Sequence, residues 1–220
     1  MQLSIRKYIS ISKERIRVNG KEVFTYEGKE GYRKFIRAAY RHFNTSYPKF
    51  FKMDTLSKLG FMAAEILLKD LELRKHYAPE RIGLILSNAS SSLEVDEKHH
   101  ESIRDRNNYF PSPSNFVYTL PNIMAGEAAI RHVLRGENTV LISKVFDAGL
   151  IYDITRLAFE TASVDCCICG WTEQYGNNYE SLLFLIEQSD GQLADLSAED
   201  VIFEPSKLQE LYKQETEWKN

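Results

Sequence analysis

Apolar residues recur along this chain at two spacings, one that suits strands and one that suits helices. Ile5 to Ser12 is rich in β-branched and aromatic residues and predicts a strand. Asn19-Gly20, set between Arg15-Ile16-Arg17-Val18 and Glu22-Val23-Phe24, is a hairpin signal. From Gly31 to Phe43 the spacing becomes helical, with Phe35, Ile36, Ala39 and Phe43 on one face. Asp54-Thr55-Leu56-Ser57 predicts a helix start, Asp54 accepting from free amides of the first turn. Leu56, Leu59, Met62, Ala63, Ile66 and Leu67 carry that helix to about Leu73.

Arg81 to Ser87 is a short apolar run entering the polar loop Asn88 to Ser92, which predicts a buried strand. A polar helix follows over Glu94 to Arg106, where His99 and His100 sit among charges and are expected at the surface. Pro111 and Pro113 then exclude regular helix. Pro121 to Leu134 predicts a helix ending near Gly136, Asn138 to Ser143 a strand, and Asp147 to Thr161 a helix apolar on more than one side. Val164 to Gly170 and Ser181 to Glu187 predict two more strands, and Ser206 to Asn220 a polar surface helix. Strands alternating with helices give an α/β layered fold, without internal repeats.

The 220 residues suit one large domain, or a domain with an extension. Against 28 basic residues stand 31 acidic ones, a net charge of −3, so no global positive field attracts nucleic acid. Apolar runs such as Leu182 to Ile186 fall far short of the ~20 residues of a membrane span. Met1 to Lys7 leads into no apolar leader segment, so a soluble cytoplasmic protein is expected. The three cysteines crowd into Cys166-Cys167-Ile168-Cys169, with no spaced partners for disulfides and no second CxxC or His pair for a metal site. On a strand Cys167 and Cys169 share a face, and buried structural thiols are expected; neither metal nor cofactor is.

Four blocks in order carry a resemblance: Phe50 to Leu59, Arg81 to Ser87, Tyr118 to Arg131 and Leu134 to Asn138. They resemble the N-terminal half of β-ketoacyl-(acyl carrier protein) synthases, over about Phe50 to Glu187. The resemblance implies a thiolase-like half, a layered sheet with helices on both faces, truncated relative to full-length condensing enzymes, in which two chains pair side by side. It divides the chain into a strand, hairpin and helix extension over 1–50, a core over 51–190, and a polar C-terminal tail or helix over 191–220. The small residues Ala125, Gly126, Ala128 and Ala129 predict close helix packing.

In that family the strand after the Gly136-Glu137-Asn138 block delivers a nucleophilic cysteine at a sharp turn into a helix. Here the stretch reads Ile142-Ser143-Lys144-Val145-Phe146-Asp147-Ala148-Gly149-Leu150. Anchoring on Gly149-Leu150 puts Phe146 at the nucleophile position, and counting from Gly136 puts Val145 there. Neither attacks a thioester. The family's two catalytic histidines come from a second half that this length leaves no room for, and His42, His76, His99, His100 and His132 match no such motif. Ser143 lacks a visible base, and Asp147 reads as a helix cap.

A chain of this kind resembles chain length factors, inactive subunits that pair with an active ketosynthase and shape its acyl tunnel. The resemblance then implies a role in fatty-acid or polyketide biosynthesis, with the synthesis of aryl-polyene or related pigments as the preferred example. Asn115, Phe116, Val117 and Tyr118 would lie in a loop facing the partner's tunnel; alternatively Phe116 and Tyr118 fill this chain's own core. The expected partner is a full-length β-ketoacyl synthase, a second copy of the chain, or an acyl carrier protein. Two rival readings are a thioester-processing enzyme using unconventional residues and a stand-alone homodimeric acyl-binding protein. The wide apolar face of the helix from Asp147 to Thr161 is expected to need a cover.

Overall fold

The computed structural model describes residues 1–28, 31–107, 109–193 and 201–216. Seven strands form one mixed sheet: β1 (Leu3–Ser12), β2 (Arg15–Val18), β3 (Lys21–Thr25), β4 (Ile82–Asn88), β5 (Asn138–Ile142), β6 (Cys166–Tyr175) and β7 (Asn178–Gln188). Their order across the sheet is β3-β2-β1-β7-β6-β4-β5, and the two-residue β8 (Val201–Ile202) pairs with Ser4 and Ile5 of β1. β4 runs parallel to β5 and to β6, and all other pairings are antiparallel. The α/β layered architecture expected from the alternating pattern is therefore present.

The central strands are buried on both faces because both faces of their pleat are apolar. Along β7, Leu183 and Leu185 join one core, while Leu182, Phe184 and Ile186 join the other. The cysteines divide in the same way: Cys166 lies in the first core, Cys167 and Cys169 in the second. On the first face lie α1 (Tyr32–His42), α2 (Thr55–Leu67), the single turn α3 (Leu73–His76) and α6 (Ile123–His132). The second face is covered by α7 (Ala148–Glu160) and α8 (Pro205–Thr216). Two further helices, α4 (Leu93–Ile103) and α5 (Pro113–Val117), pack against each other.

A bulge in β1 builds a buried ionic lock. Ile5 pairs with Ile186 and Lys7 with Leu185, so Arg6 is the extra residue and its side chain turns inward. Its Nε donates to Glu187 at 2.6 Å, and its Nη2 donates to the carbonyls of Gln188 and Ser189 at 3.0 and 2.6 Å. Both charged side chains are fully buried. Glu187 also accepts from the Tyr77 hydroxyl and from the Leu193 amide at 3.1 Å. Burial and the neighbouring carboxylate push the Tyr77 phenol up, so it stays a donor.

Several boundaries differ from the sequence reading. The helix expected to reach Leu73 stops at Leu67, because Asp70 adopts the left-handed conformation, φ 64°, and reverses the chain. The proline segment does hold a helical turn, α5, since Pro113 occupies the first helical position, where its missing N–H is no loss. Ser112 caps that turn by accepting from the Asn115 amide at 3.3 Å. β6 and β7 extend beyond the expected strands and meet in a tight hairpin around Gly176-Asn177. The close helix approach falls at Gly60 of α2, where a Cβ would lie 2.5 Å from Met124 Cγ, rather than at Gly126.

The apolar face of α7 is covered by this chain itself. Phe203, Leu208 and Leu211 are buried against it and the sheet, so the C-terminal helix read as polar and superficial closes the second core. Only one apolar side chain of α7, Leu157, is markedly exposed, at 53%. Residues 194–200 and 217–220 of the tail expected over 191–220 lie outside the described residues.

Candidate functional site

The turn from β5 into α7 is the place to which the resemblance assigns a nucleophile. It begins beside the end of β4, where the Ser143 amide donates to the Asn88 carbonyl at 2.9 Å. The Ser143 hydroxyl donates to the Val145 carbonyl at 2.6 Å and so meets a backbone acceptor in place of a base. Val145 points outward, 68% exposed. Phe146 is buried, and its ring stacks on Tyr212 of α8 with centroids 4.5 Å apart and planes 17° apart. Asp147 accepts from the Leu150 amide at 2.9 Å and caps α7. No side chain of this turn combines nucleophilic chemistry with an adjacent base.

The cysteines do not supply that chemistry elsewhere. All three are fully buried, and burial pushes their thiols up, that of Cys169 to about 12. Their thiolate fraction at neutral pH is negligible. The histidines are dispersed: His42 packs against Phe24 and Phe43, His76 ends α3, His99 lies 5.7 Å from the Phe116 ring, His100 is exposed, and His132 lies 3.3 Å from Glu65. Among the described residues no three His, Cys, Asp or Glu side chains form a group suited to a metal ion.

The segment Asn115 to Tyr118 splits in two. Phe116 and Val117 are exposed, at 59% and 47%, and Asn115 is half-buried. Tyr118 is buried, and its hydroxyl donates to Glu127 at 3.1 Å. Burial and the Glu127 carboxylate push that phenol up, and Lys49 approaches the same carboxylate at 2.8 Å. Of the two alternatives open for this pair, core filling applies to Tyr118 and exposure to Phe116. The sequence reading assigned no role to Glu127, although a lone carboxylate among Ala125, Gly126, Ala128 and Ala129 signals a buried partner.

Asn88 was also missed. It ends β4 fully buried, and neither atom of its side-chain amide has a hydrogen-bond partner among the described residues. Beyond it, Glu173 accepts from the Ala89 and Ser90 amides at 2.7 and 3.0 Å and fixes the chain as it leaves β4.

No protein-family model and no curated protein matches the sequence. Solved structures do match. The ishigamide ketosynthase/chain length factor superposes with a TM-score of 0.62 at 18% identity, covering 86% of this chain and 63% of that one. A ketosynthase in complex with its chain length factor from Xenorhabdus doucetiae gives 0.55 at 13% identity, over 86% of this chain and 79% of that one. A β-ketoacyl synthase from Burkholderia phymatum gives 0.53 at 10% identity, over 85% and 59%. The fold is that of the ketosynthases. This chain thus carries the thiolase-like architecture that its four sequence blocks implied, and it spans less than two thirds of the first of these structures. Within the ketosynthase fold, Phe146 and Val145 stand in the turn that leads into α7.

Proposed function

We propose that this chain is a chain-length-factor-like, non-catalytic subunit that pairs with an active ketosynthase in fatty-acid or polyketide biosynthesis, with aryl-polyene-type pigments as the preferred pathway. The observation that carries the reading is Phe146: in a ketosynthase fold, the turn into α7 is filled by a buried ring locked against Tyr212. Two of the similar structures are described as ketosynthase and chain length factor, and another holds an acyl carrier protein with its ketosynthase. The open edge of β5, which pairs with no further strand among the described residues, offers backbone groups to a partner sheet. Phe116 and Val117 present apolar side chains on a short, proline-started helix, and in this reading they face the partner's acyl tunnel.

The test is reconstitution. Tagged at its C-terminus and isolated from the native cell, the chain is expected to bring down a full-length β-ketoacyl synthase in equal proportion. In the reconstituted pair, Phe116→Ala is expected to lengthen the products while changing stability by no more than about 0.5 kcal/mol, as befits an exposed side chain. A homodimer that ignores the ketosynthase overturns the reading, as does thioester turnover by the isolated chain that is lost with Ser143→Ala.

A further inference from the structure

A pocket of about 240 Å³ opens between α1, α2, α4 and α5, and its charge is out of keeping with the rest of the molecule. Five cationic side chains line it: Arg33 and Arg37 from α1, Lys52 from the turn before α2, Lys58 from α2 and Lys98 from α4. A single carboxylate, Asp54, stands against them. The pocket therefore concentrates a formal charge of five minus one, or +4, in a chain whose total is −3.

Little inside the protein neutralises this charge. Asp54 is committed to capping α2, where it accepts from the Leu56 and Ser57 amides at 3.1 Å. Lys98 pairs with Glu94 at the rim, and Lys58 donates to the Met53 carbonyl, which carries no net charge. No acidic partner for Arg33, Arg37 or Lys52 exists among the described residues. Burial lowers the Lys58 ammonium, and repulsion from Arg37, Arg33 and Lys98 lowers it further, against the attraction of Asp54. Thr55 lines both this pocket and the one beside it; it is 8% exposed, and its hydroxyl has no partner among the described residues.

We infer that this pocket binds the phosphoryl group of a small soluble phosphate ester. Two guanidinium groups one helical turn apart on α1 suit the planar, paired hydrogen bonding of a phosphate, and the lysines add point charge. A concave cleft of one sign focuses the field on a compact dianion. Its concavity, with Lys58 half-buried in the wall, favours a small group over an acidic protein surface. The amides at the start of α2 contribute little, since Asp54 occupies two of them; the side chains make the site. This inference stands apart from the pairing proposed above, although Ser114 and Asn115 form part of the pocket wall.

Calorimetric titration of the full chain, in whatever assembly it is isolated, with inorganic pyrophosphate tests it. Saturable 1:1 binding is expected, weakening as salt rises, and at least tenfold weaker in the Arg33→Ala/Arg37→Ala double variant. Both arginines are exposed, so this variant is expected to fold; circular dichroism checks that. Lys34→Ala removes a charge from the same helix outside the pocket and is expected to leave affinity within twofold. No saturable binding, or equal loss in Lys34→Ala and the double variant, overturns the inference. So does binding of polyglutamate in the absence of pyrophosphate binding, which would mark a protein-docking surface.

Discussion

The two helices laid against opposite faces of the sheet, α2 and α7, have the same length and very different surroundings. Of the thirteen residues of α2, eleven are buried; of the thirteen of α7, five are. α2 is enclosed by the sheet beneath it and by α1 and α6 beside it, so its charged residues are confined to Lys58 and Glu65 along its accessible edge. α7 keeps a polar outer side, where Arg156 and Glu160 pair at 2.6 Å, and is sealed along one flank by α8 from the far end of the chain. One layer is thus completed by neighbouring segments and the other by a late return of the chain. The second layer therefore depends on a helix whose loss would reopen it.

The sharpest way to break this comparison is to delete side chains from both layers. Phe61→Ala, in the fully buried heart of α2, is expected to cost about 3–5 kcal/mol, while Leu157→Ala on the outer side of α7 changes stability by no more than about 0.5 kcal/mol. Urea denaturation of the two variants decides the matter, and similar losses would mean that the layers are not unequal. Arg6→Met tests the sheet between them. It leaves the Glu187 carboxylate buried without its cation, so a loss of about 3–5 kcal/mol is expected from the same measurement.

A smaller effect isolates the α8 seal. Tyr212 stacks on Phe146 and donates to Glu180 at 2.6 Å. Tyr212→Ala is expected to cost about 1–3 kcal/mol and to raise hydrogen exchange in α8 and the first turn of α7 before it does so in α2. Tyr212→Phe keeps the stacking and is expected to lose only the hydrogen bond, about 0.5–1.5 kcal/mol. Uniform loss of protection across both layers would show that α8 is no separate seal.

How far these features were legible in the sequence follows from what kind of signal each carries. α2 and the core strands announce themselves through spacing, and Asp54 and Asp147 through cap chemistry; all are local patterns. The buried Arg6 was not legible, because a bulge created by pairing with β7 reverses its expected direction. β6 reads as too short because Thr172 and Gln174 are polar yet buried: the Thr172 and Ser181 hydroxyls lie 2.8 Å apart across the hairpin, and Gln174 donates to Glu94 of α4 at 2.9 Å. The docking of α8 rests on Leu208, Leu211 and Tyr212 in an otherwise polar segment, and on the buried Glu215, which accepts from Ser10 of β1 at 2.6 Å. At the candidate site, the identity of Phe146 was readable and its burial was not, since its stacking partner lies 66 residues further along. The cationic pocket was hidden for the same reason: four separate segments supply its charge.

The finest probe of the comparison is acid. On the α2 side, burial raises the Glu65 carboxyl, and hydrogen bonds from Arg131, with the His132 ring 3.3 Å away, overcome that and hold it at about 2. Arg131 supplies two of them, at 2.9 and 2.7 Å, tying α6 to α2. Because the folded value lies below the ordinary 4.5, this link stabilises the fold fully above pH 4.5 and is lost as pH falls towards 2. Partial exposure screens the pair, so the expected contribution is about 1–2 kcal/mol. Wild type and Glu65→Gln should therefore differ by that amount at pH 6 and converge near pH 2, since the glutamine cannot titrate. Among the described residues α7 itself offers only the exposed pair of Arg156 and Glu160, so Glu160→Gln is expected to show almost no such pH-dependent gap. If instead the Glu65→Gln gap persisted at pH 2, the α6–α2 link would be one of packing, and the contrast between the layers would rest on apolar burial alone.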